Sequence, residues 1–278
     1  MERIRNAIEK DKKQHAVATG LTGRPHTDKL STPTSSITSV QPESLDVSYT
    51  YTSVVKLQAA HLEKHRIVAF DKNHAMSMSF DLLRTLVLQK MEEKGWRTLA
   101  VTSPSPAAGK TVVAINLAMS IAQQTNKTAM LVDFDLRRPK VGYYLGIPMQ
   151  KSLNNLLDGT ATLPEVLVNP DMPRLVVLAT KTPVSKSTET LSSKKITELV
   201  NELRERYESR IVIFDLPPVL ATDDAIALLP KIDCVLLVVA NGMSTKEEIE
   251  NSIRLIPAEI LLGTVFNKAE IDPMTYYY

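Results

Sequence analysis

The sequence contains a single cysteine, Cys234, among its 278 residues. One cysteine can form no intrachain disulfide, which agrees with a reducing compartment such as the cytoplasm. Cys234 begins the apolar segment 234–239. We therefore expect a small, buried hydrophobic residue at this position rather than a nucleophile.

Long apolar runs and an excess of charge are also missing from the sequence. No stretch of about 18 consecutive apolar residues occurs, so we predict no transmembrane helix. The charged residues 1–5 do not resemble the start of a signal peptide. The 33 basic and 31 acidic residues give a formal net charge of +2. This balance, without an evident basic patch, predicts no nucleic-acid partner.

The N-terminal region differs in composition from the rest of the chain. Residues 1–14 are charged and allow a short helix with two isoleucines on one face. Residues 15–62 are rich in Ser, Thr, Pro and Gln, and such a segment buries too little apolar surface to offset the entropy of ordering it. We expect a flexible region over 1–74, a folded domain over 75–268 and a C-terminal tail over 269–278.

Apolar strands and amphipathic helices alternate through the folded domain. The predicted helices are 76–93, 111–124, 192–206, 222–229 and 245–255, with shorter helical pieces before residue 168. The predicted strands are 97–102, 128–133, 174–178, 210–215, 233–239 and 260–266. This alternation predicts an α/β fold with a mostly parallel sheet and helices on both faces. Such sheets bind nucleotides at the carboxyl ends of their strands.

A candidate phosphate-binding loop follows the first predicted strand of the domain. Residues 103–111 read Ser-Pro-Ser-Pro-Ala-Ala-Gly-Lys-Thr and precede a predicted helix, which is the setting that a P-loop requires. Lys110 is expected to contact the β- and γ-phosphates, and the Thr111 hydroxyl is expected to bind Mg²⁺. The backbone N–H groups expected to face the phosphates belong to Ala107, Ala108, Gly109, Lys110, Thr111 and Val112. The sequence therefore predicts a P-loop NTPase fold, although Pro104 replaces the first Gly of the usual motif.

Acidic residues end two further apolar strands of the domain. Asp133 and Asp135 follow one strand and Asp215 ends another, so that carboxylate oxygens are available for a hard cation. Thr111, Asp133 and Asp215 are the candidate Mg²⁺ ligands. Asp133 or Asp135 is the candidate proton acceptor, and with Lys110 and Asp215 they form the predicted catalytic set. An ordinary α/β turn followed by buried, paired aspartates is the alternative interpretation.

Several of these segments resemble the bacterial tyrosine kinases of exopolysaccharide synthesis. Residues 131–137, Leu-Val-Asp-Phe-Asp-Leu-Arg, resemble the additional Walker motif of that family, and residues 211–218 resemble its Walker B strand with the following Pro pair. The resemblance spans about residues 75–268 and points to the soluble autokinase-like proteins encoded with exosortase-type systems. Partitioning and cell-division ATPases instead carry an additional Lys where this sequence has Ser105.

The resemblance also implies roles for individual residues. Related ATPases imply that Asn267 contacts adenine, although a strand-ending turn explains an Asn there equally well. Independently of the resemblance, Arg137 lies on the same side as Asp133 and Asp135 if the chain stays extended, so we expect it to pair with phosphate or with an aspartate. The segment with Asp81 and Arg84 resembles the helix that assembles the family into rings, although Val87 replaces a second Arg. The family's autophosphorylated C-terminal tyrosines correspond to Tyr276, Tyr277 and Tyr278.

These features together predict an ATP- and Mg²⁺-dependent protein-tyrosine autokinase that regulates exopolysaccharide biosynthesis or export. The resemblance implies self-association as a ring or dimer, in which subunits phosphorylate the C-terminal tyrosines of their neighbours. It also implies a membrane-embedded polysaccharide chain-length or co-polymerase protein as activator, which recruits a cytoplasmic chain to the inner face of the cell membrane. The alternatives are a non-kinase P-loop ATPase switch and a nucleotide-binding scaffold of a polysaccharide assembly.

Overall fold

One sheet of eight strands organises the computed structural model, which describes residues 52–124 and 126–269. The strands are β1 (Ser53–Val54), β2 (Thr98–Thr102), β3 (Thr128–Asp133), β4 (Val168–Asn169), β5 (Leu175–Leu178), β6 (Arg210–Asp215), β7 (Cys234–Ala240) and β8 (Leu261–Asn267). Their order across the sheet is β1-β4-β5-β3-β6-β2-β7-β8. Only the pairing of β4 with β5 is antiparallel among these described strands. The predicted α/β class and mostly parallel sheet are confirmed.

Helices connect the strands and cover both faces of the sheet. They are α1 (Ala59–Lys64), α2 (Ser77–Lys94), α3 (Lys110–Gln124), α4 (Val141–Leu145), α5 (Leu153–Leu157), α6 (Leu163–Val166), α7 (Ser187–Ser192), α8 (Lys194–Glu205), α9 (Asp224–Leu228) and α10 (Lys246–Leu255). The predicted helix 192–206 corresponds to α8, which begins at Lys194 because Ser193 is extended and its side chain accepts a hydrogen bond from Ile196 N. Every helix in the described part of the chain is too short or too polar to span a bilayer.

The apolar core lies in two layers, one on each face of the sheet. On one face, α2 and α3 contribute buried residues such as Met91 and Ile115. On the other face, α7, α8 and α9 pack over Phe134 and Phe214, whose ring centroids are 5.1 Å apart. The central strands are buried along their whole length, as expected of parallel strands that are covered by helices on both sides. Cys234 is buried in β7, and burial raises the pKa of its thiol.

The segment before residue 75 differs from the expected flexible region wherever the structure describes it. Strand β1 pairs with β4, and α1 buries Leu62, which is 2% exposed. The backbone N–H groups of Val68 and Ala69 donate to Asn116 Oδ1 of α3 at 2.7 and 2.9 Å. The polar composition of this segment led to the wrong prediction. A few apolar residues such as Leu62 and the buried Asn116 are enough to pack the segment against the domain. The expected helix within residues 1–14 lies outside the described residues.

The two residues expected to take part in assembly interact within the chain. Arg84 Nη1 donates to Asp81 Oδ1 at 2.7 Å and to Ser120 Oγ at 3.1 Å, and Ser120 Oγ donates to Asp81 Oδ1 at 2.6 Å. These bonds tie α2 to α3. Val87, at the position of the second family Arg, is fully buried in the core. A role of Asp81 and Arg84 in assembly stays a prediction.

The packing of α1 predicts the effect of shortening Leu62. Leu62→Ala should lower the free energy of unfolding by roughly 2 to 5 kcal/mol, because it removes buried methyl groups and leaves a cavity. Urea denaturation followed by circular dichroism measures the change. Leu255→Ala is the matched control, because Leu255 is 48% exposed at the end of α10. Equal stability of the two variants would show that α1 is not part of the cooperatively folded domain.

Candidate nucleotide-binding site

Three sequence motifs meet at the carboxyl ends of three adjacent strands. The central order β3-β6-β2 places the strand before the P-loop beside β6, and β6 beside β3. Asp133 and Asp215 are directly paired in the β3–β6 register, and Val101 of β2 is paired with Asp215. The parallel directions of these strands bring all three motifs to one edge of the sheet, as nucleotide sites of this fold require.

The P-loop adopts a tight turn between β2 and α3. Ala107 and Gly109 have φ values of 65° and 92°, in the left-handed region that glycine tolerates best. A Cβ atom on Gly109 would lie 2.2 Å from Asn267 Nδ2. The backbone conformation therefore favours glycine at position 109, and a larger residue there would also displace the side-chain amide of Asn267 in β8.

Backbone N–H groups of the loop are available to an anion. Among the described residues, no protein acceptor receives a hydrogen bond from the N–H groups of Ala107, Ala108 or Gly109. These groups precede the N-terminus of α3, where the helix dipole favours negative charge. The loop therefore has the properties of a phosphate site.

Lys110 and Thr111 contact the acidic strand ends. Lys110 Nζ lies 2.8 Å from Asp135 Oδ2 and 3.3 Å from Asp215 Oδ1, and Thr111 Oγ1 donates to Asp215 Oδ2 at 2.7 Å. Burial alone would lower the pKa of the Lys110 ammonium, but the carboxylates of Asp215 and Asp135 outweigh it and raise this pKa. Lys110 therefore stays charged in a buried setting.

Asp133 is placed differently from Asp135. Both Lys140 N and Val141 N donate to Asp133 Oδ2 at 3.0 Å, and Asp135 N donates to Asp133 Oδ1 at 3.3 Å. Burial, reinforced by the neighbouring Asp215, raises the pKa of the Asp133 carboxyl well above its ordinary value. The side chain of Asp133 thus holds the loop that leads into α4, whereas Asp135 lines the cavity above it.

Arg137 pairs with an aspartate, which is one of its two expected partners. Its Nε and Nη2 atoms donate to the two oxygens of Asp224 at 2.9 and 3.1 Å, and Nη2 also donates to Thr188 Oγ1 at 3.2 Å. Burial alone would raise the pKa of Asp224, but the hydrogen bonds from Arg137 and Thr188 hold it below its ordinary value of 3.8. Sequence reasoning assigned no role to Thr188 or Asp224, because their approach depends on the packing of α7 against α9.

Two residues at the end of β8 donate side-chain hydrogen bonds to the P-loop backbone. Asn267 Nδ2 donates to Ala108 O at 2.8 Å, and Lys268 Nζ donates to Ala107 O at 2.8 Å. The expected contact of Asn267 with adenine stays a prediction. Lys268 was not among the expected site residues, and its position directly after the last strand is the signal that indicates it.

A cavity of about 650 Å³ opens above these residues. Its walls include P-loop residues 106–107 and 109–112, residues 217–218 after β6, and Tyr144 of α4. In the described part of the chain no three His, Cys, Asp or Glu side chains form a metal cage. The oxygens of Thr111 and Asp215 nevertheless fit Mg²⁺, because this ion is held by one or two carboxylates together with phosphate and water.

Fold and site together define a P-loop nucleotide-binding protein. Residues 97–260 match the AAA domain family. EpsB of Ralstonia solanacearum is 33% identical over 198 residues, which are 70% of this chain and 26% of EpsB, so the chain spans about a quarter of that relative. The tyrosine-protein kinase CpsD of Streptococcus pneumoniae serotype 4 is 30% identical over 65% of this chain and 79% of its own length. The kinase domain of the Escherichia coli tyrosine kinase ETK superposes with a TM-score of 0.69 at 26% identity, covering 81% of this chain and 91% of that domain.

The chain therefore belongs to the family of bacterial tyrosine-protein kinases, and its P-loop domain is of the AAA type. The predicted resemblance and P-loop NTPase fold are confirmed. The roles of the individual site residues stay predictions, and Tyr276, Tyr277 and Tyr278 lie outside the described residues.

Lys110→Met should abolish nucleotide use. The methionine keeps most of the side-chain volume but removes the charge that opposes the phosphates, and it leaves Asp135 and Asp215 without their cation. Binding of a fluorescent ATP analogue measures the loss, and circular dichroism checks the fold. Lys246→Met is the matched control, because Lys246 is an exposed lysine of α10. Unchanged nucleotide binding in Lys110→Met would overturn the P-loop assignment.

Asp224→Asn should lower the free energy of unfolding by roughly 2 kcal/mol, because a buried carboxylate loses its charge-assisted bonds with Arg137. Since the pKa of Asp224 is lowered in the folded protein, this difference should be complete above pH 3.8 and should vanish as the pH falls through the lowered pKa. Denaturant titrations at several pH values measure both effects. Asp223→Asn changes the exposed neighbour and should have almost no effect; equal losses in both variants would contradict the assignment.

Proposed function

We propose that the chain is an ATP-dependent protein-tyrosine autokinase that regulates exopolysaccharide biosynthesis or export. The observation that carries this proposal is the cluster of Lys110, Thr111, Asp135 and Asp215 beneath the available N–H groups of the P-loop. The cluster combines a phosphate-binding cation with carboxylate and hydroxyl oxygens in one cavity. Membership of a tyrosine-protein kinase family supports transfer to a tyrosine hydroxyl.

Phosphoryl transfer needs positioned charges more than covalent help from the protein. The loop N–H groups and Lys110 hold the phosphates, while the oxygens of Thr111 and Asp215 hold Mg²⁺. The metal, when bound, neutralises charge on the phosphate oxygens. For Asp133, expected as a third ligand, the contacts support a positioning role instead, because both of its oxygens accept backbone N–H groups.

Asp135 is the proposed proton acceptor. It lines the cavity, and its Oδ2 atom is released when the Lys110 ammonium turns from this carboxylate to the phosphates. The tyrosine oxygen then bonds to the γ-phosphorus while the bond from that phosphorus to the bridging oxygen of ADP breaks. The phenolic proton passes to Asp135, so phosphotyrosine and ADP are formed.

Self-association is part of the proposal, and an exposed apolar stripe supports it. Met78, Leu82 and Leu86 follow one another at intervals of four on α2, and each is more than half exposed. A membrane-embedded chain-length or co-polymerase protein is the proposed activator, which recruits the chain to the inner face of the cell membrane. The link to exosortase-type systems stays a prediction.

Incubation with γ-labelled ATP tests the proposed reaction. Label on protein tyrosine supports the kinase, and label that appears only as free phosphate would favour the ATPase switch. Binding of ATP without either product would favour the scaffold. Each of the last two results contradicts the proposed activity.

Replacing Tyr276, Tyr277 and Tyr278 with Phe should remove most phosphate incorporation while ATP binding is kept. ATP binding should be kept because the three tyrosines follow the proposed nucleotide-binding residues in the sequence and are not among them. Phosphopeptide mapping and ATP-analogue binding measure the two effects. Tyr207→Phe is the matched control, because Tyr207 is an exposed tyrosine of the folded domain. Phosphate found mainly on Tyr49 or Tyr51 would move the acceptor to the N-terminal region.

A further inference from the structure

Positive charge dominates the wall of the nucleotide cavity. The lining cations are Lys110, Arg137, Arg138, Lys140 and Lys268. Asp135 is the single carboxylate among the lining residues that the structure describes.

Two of these cations are already neutralised by the protein. Lys110 pairs with Asp135 and Asp215, and Arg137 pairs with Asp224. Arg138, Lys140 and Lys268 have no carboxylate partner within the described residues.

The two cations on the β3 side are fixed through their backbone. Arg138 N donates to Asp135 Oδ1 at 3.0 Å, and Lys140 N donates to Asp133 Oδ2 at 3.0 Å. The Lys140 ammonium lies 5.1 Å from the ring centroid of Tyr143, and the Arg138 guanidinium is exposed, with no partner in the described chain. Both side chains therefore belong to the segment that carries the proposed proton acceptor Asp135, whereas Lys268 belongs to the P-loop side of the cavity, where it contacts Ala107 O.

The sequence of the C-terminal tail complements this charge. Residues 269–278 read Ala-Glu-Ile-Asp-Pro-Met-Thr-Tyr-Tyr-Tyr and contain two carboxylates and no Lys, Arg or His. Glu270 and Asp272 precede Tyr276 by six and four residues. In an extended chain these separations correspond to roughly 20 and 13 Å, so the acidic side chains lie outside the immediate surroundings of a reacting tyrosine.

We propose that Arg138 and Lys140 form a subsite for the acidic residues that precede the acceptor tyrosines, and that its occupant is the tail of a second copy of this chain. This inference rests on the proposed kinase function and names the class of acceptor: a tyrosine peptide with Asp or Glu on its N-terminal side. Arg138 and Lys140 select the acceptor, while Asp135 and Lys110 act on the reacting groups.

The test compares two peptides with a variant of the 278-residue chain in which the three tail tyrosines are replaced by Phe. In this variant the tail itself carries no tyrosine, and the added peptide supplies the tail sequence as acceptor. One peptide has the sequence of residues 269–278, and the other carries Gln and Asn in place of Glu270 and Asp272. Phosphotyrosine formation gives the KM for each peptide, and fluorescence anisotropy of labelled peptides gives Kd. Because one exposed ion pair changes an equilibrium constant by a few-fold at most, two pairs predict a preference of about tenfold for the acidic peptide.

In the variant Arg138→Gln/Lys140→Gln this preference should fall to about one, and raising the salt concentration should reduce it in the parent enzyme. The charge-reversed variant Arg138→Glu/Lys140→Glu should instead prefer a peptide with Lys at positions 270 and 272. Lys194→Gln/Lys246→Gln, on exposed helix surfaces, is the matched control and should keep the preference.

The outcomes separate this inference from the proposed function. Equal phosphorylation of both peptides by the parent enzyme, or an unchanged preference in the Arg138→Gln/Lys140→Gln variant, would overturn the subsite and leave the kinase standing. If Arg138→Gln/Lys140→Gln loses ATP affinity but keeps the peptide preference, the two cations bind the nucleotide rather than the peptide. This result would also overturn the subsite. Preferential binding of the acidic peptide without phosphate transfer would retain the subsite and contradict the kinase.

Discussion

The ion cluster around Lys110 is the constraint on which the site depends. Two carboxylates, Asp133 and Asp215, end neighbouring strands in direct register, and both are fully buried. Such groups repel each other and lose the solvation of water. Lys110 and Thr111 offset this for Asp215, and two backbone N–H groups at the start of α4 offset it for Asp133. The buried charges therefore fix the start of α3 and the path of the chain after β3.

Elsewhere around the site, too, single polar side chains hold loop segments by hydrogen bonds to their backbone. Asn116 on α3 binds the segment that follows α1, and Asn267 binds the P-loop. The bidentate pair between Arg137 and Asp224 links the loop after β3 to α9. Each of these side chains satisfies backbone or charged groups that the helices and strands leave open. As a result, hydrogen bonds with side chains of the helices and strands hold the loops that surround the cavity.

Some parts of this arrangement follow from sequence because they depend on local patterns. The apolar runs that became β2, β3, β6 and β7 are buried on both faces, and Gly109 satisfies a turn that excludes a Cβ atom. The strand order, in contrast, depends on pairing between segments far apart in the chain, which periodicity does not encode. The pairing of Arg137 with Asp224 likewise depends on segments that are far apart in the chain. The roles of Asp133 and Asp135 looked equivalent in sequence, and they differ because the loop after β3 turns back onto Asp133. The residues around α1 were misjudged because their packing depends on Asn116, about 50 positions away.

The contacts of Lys110 also bear on how the binding of phosphate and of a cation must be linked. In the structure described here the ammonium balances Asp135 and Asp215, and these carboxylates in turn keep it charged. A phosphate that draws Lys110 toward the P-loop removes this balance from a buried group of carboxylates. Protonation or a divalent cation must then compensate, because isolated buried carboxylates are costly. A cation can supply this compensation, since Thr111 and Asp215 present hard oxygen ligands beside the position that Lys110 leaves. Nucleotide and cation should therefore bind with positive coupling, and this coupling originates in the same charge cluster that shapes the fold of the site.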